Sequence, residues 1–208
     1  EELKEEGSFP LPRSAYGISK LIAEEIHKRW QSEDPLNRKL IILRPGVVFG
    51  KNENGNFSRL FKAMNTGIFF YPGRKNTKKS AIYVKDLTNI MIAMTKTEKN
   101  GIHLYNAVYE KPHSIEEICI SISKVTNVKL PKIIISKKIL KFLSYVVYFF
   151  GRVINKPIYG IHPERIDKLF LSTNISGNKL KKNGYEMRYN LNEAIKDWYQ
   201  ECDNKYLK

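Results

Sequence analysis

Cysteine is scarce in this chain. Two cysteines in 208 residues exclude a disulfide scaffold and a cysteine-built metal site. Cys119 falls in the run Ile115, Ile118, Cys119, Ile122, the spacing of a buried helical face. Cys202 lies near the C-terminus. The four histidines, His27, His103, His113 and His162, show no ligand spacing, so no metal is expected. Long apolar runs are also missing. The most apolar stretch, residues 139–150, is too short to span a bilayer. No zinc-finger, RRM-like or basic-zipper pattern occurs, which sets nucleic acid aside as a partner. The glycines never fall into G-x-G-x-x-G or G-x-x-G-x-x-G, the turn with which a dinucleotide-binding fold opens. Acidic residues are absent throughout the stretch between Glu117 and Glu164.

What is present is basic and globular. Lys and Arg number 36 against 21 Asp and Glu, a formal net charge of +15. Such a balance suits a solvated basic surface, an anionic membrane or a phosphorylated substrate. A hydrophobic fraction of 42% suits a packed core. A reducing, cytoplasmic setting follows from the cysteine usage. Residues 1–6 are acidic and polar, unlike an export signal, and run straight into a motif.

Periodicity alternates between helix and strand, the α/β pattern. A helix is expected over 15–31, capped by Ser14, with Ile18, Leu21, Ile22, Glu25 and Ile26 on one side and Tyr16, Lys20, Ala23 and His27 on the other. A strand over 39–43 should end at Arg44-Pro45-Gly46. A helix with Leu60, Phe61 and Met64 inward closes at Gly67, and 68–71 reads as a strand. Residues 74–79 form a basic loop and 81–84 a strand. Asp86 should cap a helix that buries Leu87, Ile90, Met91 and Met94. Strands are expected at 102–107 and 132–135. Ser114 with Glu117 makes a capping box. Helices at 137–150, 163–170, 176–182 and 191–204 complete the pattern.

Tyr16 and Lys20 stand four residues apart, so they are neighbours on a helix surface. A free tyrosine has a pKa of about 10, too high for a base near neutrality. An adjacent ammonium stabilises the phenolate. A tyrosine so tuned can exchange a proton with a substrate hydroxyl while a hydride moves to or from a nicotinamide. The spacing alone is common; its surroundings make it specific.

The segment Pro12-Arg13-Ser14-Ala15-Tyr16-Gly17-Ile18-Ser19-Lys20-Leu21-Ile22-Ala23-Glu24 closely resembles the P-x-S-x-Y-G-x-S-K-x-x-A-E motif of the extended short-chain dehydrogenase/reductase family. Leu43-Arg44-Pro45-Gly46-Val47-Val48-Phe49-Gly50 is similar to that family's R-P-x-x-V-[YF]-G segment. Ala81-Ile82-Tyr83-Val84-Lys85-Asp86-Leu87 is similar to its V-x-D segment, and Gly184-Tyr185 with Trp198 to its ending. The resemblance implies a nucleotide-sugar epimerase, dehydratase or reductase working with NAD or NADP. Tyr16 would be the catalytic acid/base, and Lys20 would tune it and hold the cofactor ribose. Pro45, Gly46 and Val47 would lie along the nicotinamide. The family's catalytic serine or threonine would precede residue 1; Ser14 and Ser19 occupy other motif positions. The chain is therefore expected to be the C-terminal portion of a longer enzyme, with no NAD affinity by itself.

The implied fold is the C-terminal part of a Rossmann-type parallel sheet plus a smaller α/β substrate-binding domain. Residues 1–50 would belong to the dinucleotide-binding domain. Residues 51–208 would be mostly substrate-binding, with 81–107 returning to the sheet. In nucleotide-sugar members Asn56, Phe57 and Phe70 would border the nucleotide. Lys79, where the family places an arginine, and Arg165 would meet the diphosphate of a nucleotide-diphosphate sugar. Lysine neutralises phosphate but cannot grip it bidentately. A homodimer is expected. The basic, aromatic stretch 137–156 points to an anionic membrane surface, peripheral to the inner face of the membrane. The alternative is a non-catalytic basic module that binds a membrane or a partner. A steroid- or flavonoid-type reductase ranks behind the nucleotide-sugar reading.

Overall fold

The computed structural model describes residues 2–12, 14–153 and 170–207. The chain is mixed α/β and divides into two compact units. The first comprises Glu1–Phe49, Ser80–Pro112 and Asn174–Asn190; the second comprises Gly50–Lys79, His113–Thr173 and Leu191–Lys208.

In the first unit, helix α1 (Ala15–Ser32) precedes strand β1 (Lys39–Pro45). β1 pairs in parallel with β6 (Gly101–Ala107), from Lys39↔Gly101 to Pro45↔Ala107. The following strand, β2 (Val47–Phe49), pairs in parallel with β5 (Ala81–Tyr83) instead. Gly46 is the point where the chain changes partner. Its N–H donates to the Ala107 carbonyl (3.2 Å), and the next N–H, of Val47, donates to the Ser80 carbonyl (2.9 Å). A β-carbon on Gly46 would stand 2.5 Å from the Ser80 oxygen and 2.8 Å from Val108 Cγ1. Only glycine allows that approach.

β1 runs two residues beyond the expected end, through Pro45. The donor facing β6 at this point belongs to Gly46, so the proline removes no ladder bond. Helix α3 (Val84–Thr97) leads from β5 back towards β6. Its N-cap is Tyr83, not Asp86, because the chain turns helical directly on leaving β5. Asp86 is the third helical residue and fully buried. Met91, expected inward, is exposed at the edge of the face that buries Ile90 and Met94. The core of this unit gathers Ile82, Ile90, Met94, Tyr105, Ala107, Leu180 and Tyr185. Leu180 comes from the short helix α6 (Asn178–Lys182), which lies against β6.

The second unit starts with α2 (Asn56–Asn65), which buries Phe57, Phe61 and Met64. It ends at Gly67, whose φ of 71° is a left-handed conformation that suits glycine. The expected strand at 68–71 shrinks to β3 (Tyr71–Pro72), parallel to β8 (Ile134–Ile135). The basic loop contains a strand, β4 (Lys78–Lys79), antiparallel to β7 (His113–Ser114). Ser114 caps α4 (Ile115–Thr126) with the full reciprocal box: Glu117 N–H donates to Ser114 Oγ (3.1 Å), and Ser114 N–H donates to Glu117 Oε2 (2.6 Å). α4 buries Ile118, Cys119 and Ile122 and packs against the final helix α7 (Leu191–Glu201), which buries Ala194, Ile195 and Trp198. In chain order α5 (Lys137–Val153) follows β8. The helix expected at 163–170 lies almost wholly outside the described residues, as does Arg165. Among the described residues no helix is long and apolar enough to cross a membrane.

Candidate active site

The start of α1 is built by short-range hydrogen bonds. Ser14 sits in extended backbone and its Oγ accepts the Gly17 N–H (3.1 Å). Ser19 Oγ donates to the Tyr16 carbonyl (2.8 Å). Both serines are thus engaged with the backbone. The first helical turn sets Tyr16 and Lys20 on one side, with the Lys20 ammonium 5.4 Å from the Tyr16 ring centroid. Tyr16 is 72% exposed, so its hydroxyl is open to a ligand.

Tyr16 and Lys20 line a groove of about 590 Å³ between α1 and β1. Ala23, Glu24 and His27 continue it along the helix, and Leu40 to Pro45 form its other wall. The structure therefore brings Tyr16, Lys20 and Pro45 around one concavity. Gly46 and Val47 follow directly, at the change of strand partner.

The helix is fastened to the strand by one ion pair. Arg44 Nε donates to Glu24 Oε1 (2.9 Å) and its terminal nitrogen donates to Glu24 Oε2 (2.6 Å), a bidentate fork. The side chains are only 22% and 17% exposed. The Glu24 hydrogen bond raises the Arg44 pKa further, against the opposing effect of burial. Sequence reading overlooked this pair, although its signal was present: Glu24 closes one motif and Arg44 opens the next.

A buried carboxylate, Asp86, and a partly buried one, Glu98, brace the same unit. Asp86 Oδ1 accepts the Arg188 N–H (2.8 Å), while Oδ2 has no partner. Burial pushes the Asp86 carboxyl above the usual range, against the pull of the Arg188 and Tyr189 N–H groups. Glu98 Oε1 accepts from the hydroxyls of Tyr105 (2.6 Å) and Tyr185 (2.9 Å), and its Oε2 lies 2.9 Å from His103 Nδ1. Burial pushes Glu98 upward, but these donors and the His103 charge hold its pKa below the usual range. Neither carboxylate lines the Tyr16 groove.

The residues expected to meet the substrate belong to the second unit. Asn56 opens α2 and is exposed; Phe57, beside it, is buried. Phe70 is half-buried in irregular chain before β3. Lys79 Nζ donates to the Leu171 carbonyl (2.7 Å), and Lys78 Nζ lies 3.5 Å from Glu117 Oε2. Both ammonium groups thus have protein partners. His113 is shifted to a lower pKa by burial, and Cys119 is pushed up to about 12 for the same reason. Among the described residues no group of three His, Cys, Asp or Glu side chains converges to hold a metal ion.

Comparison with known proteins gives this site its setting. Residues 1–107 match the family described as the NAD dependent epimerase/dehydratase family. Over 184 residues the chain is 26% identical to the N-acetyl-alpha-D-glucosaminyl-diphospho-ditrans,octacis-undecaprenol 4-epimerase of Escherichia coli O157:H7, covering 88% of this chain and 55% of that protein. The UDP-glucuronic acid 4-epimerase of Bacillus cereus, solved in complex with NAD, superposes with a TM-score of 0.66 at 18% identity, over 97% of this chain and 57% of that one. The UDP-N-acetylglucosamine 4-epimerase of Bacillus cereus gives 0.63 at 18%, over 95% and 58%. The chain spans little more than half the length of each. The structural matches establish the Rossmann-type fold, and the match over residues 1–107 establishes the family: the chain belongs to the NAD dependent epimerase/dehydratase family.

Proposed function

We propose that the whole protein carrying this chain is an NAD(P)-dependent 4-epimerase of a sugar diphosphate, with Tyr16 as its acid/base. The observation that carries the reading is the groove in which Tyr16, Lys20 and Pro45 meet, held in place by the Glu24–Arg44 fork.

The fit to a nicotinamide cofactor rests on donor chemistry. An exposed phenol and ammonium stand side by side at the groove, beside strand-end backbone that a flat ring can approach. Lys20 would hold the ribose, and Pro45, Gly46 and Val47 would border the nicotinamide. That fit covers one end of the cofactor, since the sequence carries no glycine-rich turn for the pyrophosphate. When bound, the nicotinamide supplies reversible hydride transfer. Tyr16 would take the proton of the C4 hydroxyl when that carbon is oxidised to a ketone. When the other face of that ketone is reduced, Tyr16 would give the proton back, which restores its own starting state.

A nucleotide-diphosphate sugar is the first substrate reading, with Asn56 and Phe70 bordering the nucleotide and Lys79 and Arg165 near the diphosphate. The name of the Escherichia coli relative supports a second reading, a sugar carried on a polyprenyl diphosphate. The homodimer belongs to the same proposal: Ile18, Ile22, Ile26 and Trp30 form an exposed apolar stripe on α1 that a second subunit would cover.

The test is Tyr16→Phe in the full-length enzyme, assayed by mass spectrometry against UDP-, GDP- and dTDP-sugars and polyprenyl-diphosphate sugars. Loss of general acid/base catalysis should lower kcat by about 10²–10⁴-fold. Turnover retained within a few-fold of wild type would remove Tyr16 from the mechanism.

A further inference from the structure

We propose that the exposed face of α5 docks this protein on an anionic lipid bilayer. The inference goes beyond the reading of the Tyr16 groove and is tested without catalysis.

Helix α5 divides sharply between two sides. Leu140 and Ser144 are buried within their own unit. Ile139, Phe142, Leu143 and Tyr145 lie on the other side and are 54%, 68%, 47% and 59% exposed. Four large apolar or aromatic side chains within seven residues of one helix make a patch that a water-facing surface does not need. The chain leading into the helix continues it, with Ile133 and Ile134 also exposed.

Charge identifies the occupant. Lys137 and Lys138 are exposed at the first turn and Lys141 is half-buried on the next. Lys129 and Lys132 precede them, and the sequence holds no acid between Glu117 and Glu164. An apolar face rimmed by lysines alone fits an interface of acyl chains beneath anionic headgroups. The aromatic rings of Phe142 and Tyr145 suit the headgroup boundary, and lysine stems can lie along the apolar surface while their ammonium groups reach phosphate. A second copy of this chain is the poorer occupant. Two-fold pairing through this face would bring identical lysines, and so like charges, together. At +15 overall, the chain is also drawn to a negative surface at long range.

The experiment is co-sedimentation of the full-length protein with vesicles of pure phosphatidylcholine and of phosphatidylcholine with about one third phosphatidylglycerol. Wild type should pellet with the anionic vesicles, stay soluble with the neutral ones, and be released by high salt. Phe142→Ser with Tyr145→Ser, and separately Lys138→Glu, should each weaken binding by about tenfold or more. All three positions are solvent-exposed, so an unchanged thermal melt will show that the fold is intact. Failure to bind anionic vesicles would overturn the proposal, as would binding that the variants leave unchanged. Sedimentation velocity without lipid adds a last arm: a dimer abolished by the Phe142/Tyr145 variant would assign the face to a second copy instead.

Discussion

The Glu24–Arg44 fork should couple the stability of the first unit to the placement of Tyr16. An exposed ion pair contributes about 0–1 kcal/mol, because water solvates both partners and the side chains lose freedom. A hydrogen bond to a charged group inside a protein contributes about 1.5–3 kcal/mol. This pair makes two such bonds, at 2.9 and 2.6 Å, with both side chains more than three-quarters covered. Desolvation of the two ions takes back part of that gain. A coupling of about 1–2 kcal/mol is therefore expected from a double-mutant cycle of Glu24→Ala and Arg44→Ala, read by urea unfolding. Either single change should cost more than the coupling alone, since it strands a half-buried charge. The coupling should survive high salt, because the pair is shielded from mobile ions. In the full-length enzyme either change should lower kcat by about tenfold, near 1.4 kcal/mol, with little effect on KM. A coupling below about 0.5 kcal/mol, or one erased by high salt, would show that the fork is a surface pair and does not position α1.

Asp86 and Glu98 predict opposite responses to pH. Glu98 titrates below its ordinary 4.5 in the folded chain, so its contribution is present above that value and is lost as pH falls through the depressed one. Unfolding free energy measured from pH 6 downward should fall, and Glu98→Gln should flatten the curve; an unchanged slope in the variant would exclude Glu98 as the source. Asp86 titrates above its ordinary 3.8, so the folded chain binds the extra proton and stability declines as pH rises through that window. Asp86→Asn keeps an acceptor for the Arg188 N–H and should be close to neutral, whereas Asp86→Ala orphans that donor and should cost about 1–3 kcal/mol by chemical denaturation. Equal stabilities of the Asn and Ala variants would contradict this role.

Local signals were legible in the sequence where the physics is local. Ser14 and the Ser114–Glu117 box cap their helices as their spacing requires, because a cap needs only the next three residues. Cys119 is buried as its apolar company indicates. The Tyr16–Lys20 pair was found through the motif around it, and the structure places it on a groove. The short strands were not legible. β4 and β7 are two residues each and exist only because each finds the other, a register that no period-2 pattern can encode. Asp86 was misread as a cap because an acid before an apolar stripe has that signature; its true partner, the Arg188 backbone, is remote in sequence. The Glu98 network hid for the same reason, since its donors sit at Tyr105, Tyr185 and His103.

The Asp86 bond has a consequence for synthesis on the ribosome. Its two ends are separated by 102 residues, and the chain crosses between the units at 49/50, 79/80, 112/113, 173/174 and 190/191. At about 5–20 residues per second, α3 waits about 5–20 s after its own emergence before residue 188 exists to satisfy it. Through that interval the carboxylate can stay hydrated only if the start of α3 remains open. The first unit therefore lacks this contact while its early segments appear. Its completion is timed by the last of its three segments, after most of the second unit has been translated.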